Sequence, residues 1–195
     1  QAVADEWRDA GETVDPRAMV LTGLANAALD RIAPNPAAFA AGLAAYGESD
    51  LLCYRADGPE ALAARQAALW DPLLDWARER HGVAFEIVTG VMHRAQPPAT
   101  LDRLSAATAA RDSFELAALS PIVTIAGTLV GALALVEGGT DAEHLWRAAM
   151  VDEDWQAEQW GEDTLAAQAR AHRRAEYDAA VRFLKLLRVS GTADA

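Results

Sequence analysis

Two groups of side chains in this sequence have the types and spacing for chemistry. The first is Asp141-x-x-His144, an acid and an imidazole that share one face of a helix. Such a pair is half of the carboxylate–histidine set that holds two metal ions inside a helical bundle. The other half is missing, because Ala169, not an acid, stands three residues before His172. With Glu153 added, Asp141 and His144 define the alternative reading, a metal-dependent or small-molecule helical enzyme. The second group is acidic and aromatic. Glu137–Asp163 carries nine acids against one Arg and holds three of the six tryptophans. On a helix, Trp146, Met150, Glu153, Ala157 and Trp160 form one stripe. Glu153 thus sits among apolar neighbours, while Asp152 and Asp154 point elsewhere. A carboxylate beside aromatic surface suits a protein-binding hot spot. The purely architectural option is a Glu153 that reaches past the stripe to water or pairs with Arg173 or Arg174.

Other chemistries find little support. The chain lacks a Gly-x-Ser-x-Gly elbow, a phosphate loop and a dinucleotide fingerprint. Its single cysteine, Cys53, lies in an apolar run and reads as a small core residue, which excludes a disulfide framework and a cysteine-based zinc site. His81 and His93 stand alone on either side of a strand-like run. Net charge is −12, which disfavours nucleic acid and anionic membrane surfaces. Arg170, Arg173 and Arg174 form a basic patch whose natural partner is the acidic segment. No cofactor and no metal are expected, and no signal-peptide pattern is present.

These residues need a scaffold, and Leu116–Val136 supplies its centre. The run LAALSPIVTIAGTLVGALALV has no charged side chain. A helix that is apolar on every side must be surrounded by protein or by lipid. It is long enough to span a bilayer, but three features point to protein. Ser120-Pro121 should break the helix near its start, small residues fill its middle, and acids rather than Lys or Arg flank it. Pro121–Val136 is therefore expected to be one central helix, with Gly127-x-x-x-Gly131 admitting a close neighbour.

The other elements should wrap around it. Abundant alanine favours helix. Val3 and Trp7 share a face of a first helix that Gly11 stops, and Asp15-Pro16 turns the chain. Thr22 is placed as the N-cap of a helix to Ile32, and Asn35-Pro36 opens another that ends at Gly47. Gly58-Pro59 launches a long helix to about Arg80, interrupted near Trp70-Asp71 by Pro72. Val83–Thr89 has strand character and is expected to pair with Leu51–Tyr54 as a small two-stranded patch. A helix from about Ala99 to Arg111 precedes the apolar run. Thr140 or Asp141 caps a helix to Trp160, closed by Gly161, and a last helix runs from about Asp163 to Leu187. Ser190–Ala195 should fray. The expected fold is mainly α, one helical domain over residues 1–195.

Taken together, Asp152-Glu-Asp-Trp-Gln156 and Trp160-Gly161-Glu-Asp163, placed after an apolar small-residue helix, resemble the assembly chaperone of the F-type ATP synthase that binds its alpha subunit. Pro16-Arg-Ala-Met19 followed by Leu21-Thr22, Asp50-Leu-Leu-Cys-Tyr-Arg55 and Trp70-Asp-Pro72 resemble further segments of that family, with Val20 where proline is usual. The resemblance implies a non-catalytic monomer in the bacterial cytoplasm, or the mitochondrial matrix for eukaryotic relatives. It would hold the free alpha subunit at its nucleotide-binding domain until the beta subunit displaces it. It also implies a small β-rich domain ahead of this region, which this chain lacks, so the sequence reads as a fragment. The partner-binding positions carried over are Asp152, Glu153, Trp155, Gln156, Trp160 and Gly161, with Glu153 as the principal contact.

Overall fold

The computed structural model describes residues 2–9, 14–15 and 18–191. The expected stop at Gly11, residues 16–17 of the early motif and the last four residues lie outside them. The fold is mainly α. Its helices are α1 (Ala2–Asp9), α2 (Val20–Asn26, continued by a wider turn to Ile32), α3 (Pro36–Ala44), α4 (Glu60–His81), α5 (Pro98–Ala109), α6 (Ser113–Ala126), α7 (Leu129–Glu137), α8 (Ala142–Trp160) and α9 (Thr164–Gly191). β1 (Tyr54–Arg55) and β2 (Val88–Thr89) pair in parallel, Tyr54 opposite Val88. Among the described residues no helix is long and apolar enough to cross a membrane.

The apolar run is the hub, as two helices rather than one. Leu116–Leu119, Ile122, Val123, Ala126 and all of Leu129–Val136 are buried. Gly127 ends α6 in the left-handed conformation, φ 67°. Thr128 then caps α7, its hydroxyl oxygen accepting the Gly131 N–H at 2.9 Å. Gly127 is therefore a terminator, not a packing groove. Gly131 does admit a close neighbour: a Cβ there would collide with Leu145 of α8. Pro121 lies inside an unbroken α6, opened by a capping box of Asp112 and Glu115. Burial of Leu116–Leu119, Ile122, Val123 and Ala126 outweighs one missing hydrogen bond.

Asp50 pins the break. Its carboxylate, wholly enclosed, accepts the Leu52 N–H at 3.1 Å and the Val130 N–H at 3.0 Å. One side chain thus caps both the turn Leu51–Cys53 and the start of α7. Cys53 is buried, and burial pushes its thiol up to about 12.

Three further expectations change. Helix α2 starts at Val20, and Thr22 is not its cap. Glu6 of α1 reaches across instead, accepting the Leu21 and Thr22 N–H groups at 2.9 and 2.8 Å and the Thr22 hydroxyl at 2.8 Å. Helix α4 continues through Pro72, because Trp70 is fully buried and its indole N–H donates to Ala148 O at 2.8 Å. Strand character within Val83–Thr89 is realised only at its end, and Leu51–Cys53 is a helical turn. The motifs around Arg55 and Trp70 meet: the Arg55 guanidinium lies 5.0 Å from the Trp70 ring centroid and donates to Asp71 at 2.6 Å.

Candidate functional site

Helices α8 and α9 form an antiparallel hairpin with unequal halves. The first half of α8 is core: Leu145, Trp146, Ala148, Met150 and Val151 are buried. The second half of α9 is core as well, through Tyr177, Ala180, Val181, Phe183 and Leu184. Between them, from Asp152 to Glu176, no residue is buried. This stretch is an arm, and all six carried-over positions lie on it.

Local chemistry builds the arm without a core. Asp141 caps α8, its carboxylate accepting the His144 N–H at 2.7 Å. Gly161 turns the chain at φ 83°, and Asp163 caps α9 by accepting the Ala166 N–H at 3.1 Å. Ion pairs then join the helices: Arg173–Glu153 at 2.6 Å, Arg170–Asp154 at 2.5 Å and Arg174–Glu143 at 2.8 Å. The basic patch faces the acids, as its sequence position suggests. Each pair is at least partly solvated, so each stabilises by only ~0–1 kcal/mol.

The carried-over residues divide between two sides. Glu153, Gln156, Trp160 and Gly161 line a hollow of about 420 Å³, closed on the far side by Ala166, Ala169 and Arg173. Asp152 and Trp155 face α4 instead. Asp152 accepts the Gln66 Nε2–H at 2.8 Å, and the Arg65 guanidinium lies 5.1 Å from the Trp155 ring while pairing with Glu158. Glu153 adopts the architectural option: Arg173 Nη2 bridges both its oxygens at 2.6 and 2.7 Å. Its side chain nevertheless stays 48% exposed. Arg173 Nε is buried without a hydrogen-bond partner, so the pair is not saturated.

That pair stands at a junction. A second hollow, about 370 Å³, also has Glu153 and Arg173 in its wall, together with Ile125 and Met150. Through Glu176 it adjoins a third, about 510 Å³ and largely apolar, lined by Met19, Leu24, Pro121 and His172. At the arm's tip Trp160 is 79% exposed and Leu165, which sequence reasoning passed over, is 73% exposed. A lone large apolar residue just past the Gly161 turn is the signal that could have found it.

The residues of the enzyme alternative do not converge. The Asp141 carboxylate caps a helix, the His144 ring contacts Leu69 O through Nε2 at 3.0 Å, and Glu153 is paired with Arg173. Among the described residues no group of three or more His, Cys, Asp or Glu side chains is placed to hold a metal ion.

Residues 1–78 match the family model described as ATP12 chaperone protein. The chain is 43% identical to Atp12 of Paracoccus denitrificans, whose crystal structure it matches with a TM-score of 0.90 over 95% of this chain and 79% of that one. An aspartate-to-lysine variant of the P. denitrificans protein gives 0.91 over the same shares. A protein of Agrobacterium tumefaciens, described as a chaperone, is 42% identical and gives 0.87 over 96% of this chain and 72% of that one. The chain belongs to the ATP12 chaperone family, which acts in assembly of the ATP synthase.

Proposed function

We propose that this protein holds the unassembled alpha subunit of the catalytic head at its nucleotide-binding domain, keeps it from aggregating, and releases it when the beta subunit arrives. The carrying observation is the arm, whose open, mixed apolar and charged surface contributes almost nothing to the core. A free ring subunit exposes a large apolar face that aggregates. Trp160 and Leu165 offer anchors for such a face, and the acids around them form a polar rim. Glu153, Gln156 and Gly161 line the groove beneath, and Asp152 and Trp155 brace the arm against α4. The unsatisfied Arg173 Nε–H can donate to a carbonyl or carboxylate of the client, which would loosen the hold of Arg173 on Glu153. The protein acts as a monomer and performs no catalysis.

Co-expression with each head subunit separately tests this reading. The alpha subunit should remain soluble and co-purify, and the beta subunit should not. Added beta subunit should then release alpha. Capture of beta alone, or of neither, refutes the assignment.

A further inference from the structure

Between Gly82 and Pro98 the chain forms a mostly extended strap, and near its middle Val91 and Met92 are 91% and 78% exposed. The strap is clamped on both sides of them. Glu86 and Gln96 exchange hydrogen bonds, the Glu86 N–H donating at 3.0 Å and Gln96 Nε2 at 2.9 Å. The Gly90 N–H donates to Arg55 O at 2.8 Å, and the Tyr54 hydroxyl meets His93 Nδ1 at 3.1 Å. Two apolar side chains are therefore presented to water from a fixed position, outside the core.

The same bonds tie this position to the arm. Asp152 on α8 accepts from Gln66, and Gln66 Oε1 accepts the Ala56 N–H at 2.8 Å. Arg55, the next residue, accepts from Gly90, which adjoins Val91. Three hydrogen bonds thus lead from the arm's α4 side to the strap's apolar tip.

We propose that Val91 and Met92 are a second anchor for the unassembled ATP synthase subunit, continuous with the arm; the inference rests on the client-holding reading above. Two side chains alone fall far below the roughly 800 Å² per partner that a stable interface buries. Joined to Asp152 and Trp155 on the arm's α4 side, they widen one surface. A second copy of this chain is a poor occupant, since two bodies of charge −12 repel each other. The client's exposed apolar face fits, and an unbranched methionine adapts to such a face without a preformed pocket.

Met92 makes the contact measurable. Of the three methionines, Met19 and Met150 are buried, 6% and 4% exposed, so Met92 alone should oxidise readily under dilute peroxide. Bound alpha subunit should slow Met92 oxidation several-fold. The double variant Val91→Ser, Met92→Ser should melt like the parent and capture alpha several-fold more weakly. Unprotected Met92 with parental capture by the double variant overturns this inference alone, provided the parent still binds alpha. A parent that binds no alpha subunit overturns the function reading and this inference with it. Met92 protection that grows with the chain's own concentration assigns the tip to self-association, and a large drop in the double variant's melting temperature assigns it to the fold. Either result also overturns the inference.

Discussion

At the scale of single residues, Glu153 and Asp50 separate surface work from architecture. The Glu153–Arg173 pair is half solvated, so its loss costs at most ~1 kcal/mol, or about 2–4 °C in a chain of this size. Glu153→Lys should therefore melt close to the parent while weakening alpha capture about tenfold or more, read by pull-down. A large melting shift with capture intact would make Glu153 architectural. Asp50 is the converse case. Burial raises its carboxyl to about 6, against the pull of the N–H groups of Val130 and Leu52. The folded state then binds this proton more tightly than the unfolded chain between about pH 4 and 6. Its contribution to stability is full below the unfolded value and falls as pH rises through the folded one. Asp50→Asn removes the effect. The stability difference between parent and variant should decline by on the order of 2 kcal/mol across that window, measured as melts from pH 4 to 7. A pH-independent difference would show that Asp50 ionises as freely in the fold as outside it. Glu6 works in the opposite sense: burial resists its ionisation, but the bonds from Leu21 and Thr22 prevail and hold its carboxyl below the usual range.

At the scale of elements, packing at the hub sets the tolerances. Gly131 has no room for a Cβ against Leu145, and Thr128 Cγ2 would lie at 2.9 Å. Gly131→Leu should destabilise by about 1–3 kcal/mol or more through overpacking, and calorimetry should show the lower melt; a parental melt would mean that α7 and α8 part easily. The helices legible in the sequence are those whose signals are local. Asn35-Pro36, Asp141 and Gly161 mark ends that the structure keeps. Thr22 misled because the helix begins two residues earlier, at Val20, and its first-turn N–H groups of Leu21 and Thr22 are capped by Glu6, fifteen residues upstream of Leu21. Gly127 misled because one glycine can either admit a neighbouring helix or end its own. The strand run was overextended because pairing depends on β1, more than thirty residues away. For the candidate site, the acid–tryptophan stripe and its arginine partners were readable from spacing. Gln66, Arg65 and the strap tip were not, since their relation to α8 exists only once α4 has packed.

At the scale of the molecule, the buried mass and the exposed arm are built on different principles. The core is a continuous apolar cluster drawn from α2 through α9. The arm relies on caps, helix-forming residues and solvated ion pairs, and it carries most of the proposed contact surface. On the proposed reading, stability and client handling fall to largely separate residues, so the surface variants above should be read without large folding effects. The strap extends that separation, since its exposed pair is positioned by hydrogen bonds rather than by burial.

Helix α9 belongs to both regions: its first thirteen residues carry no buried side chain, while Tyr177, Ala180, Val181, Phe183 and Leu184 are sunk in the hub. It behaves as a lever clamped at one end. Any slackening of the clamp, however remote from Trp160, swings the free end, so lesions deep in the interior should surface as clumsy handling of the passenger well before the body itself comes apart.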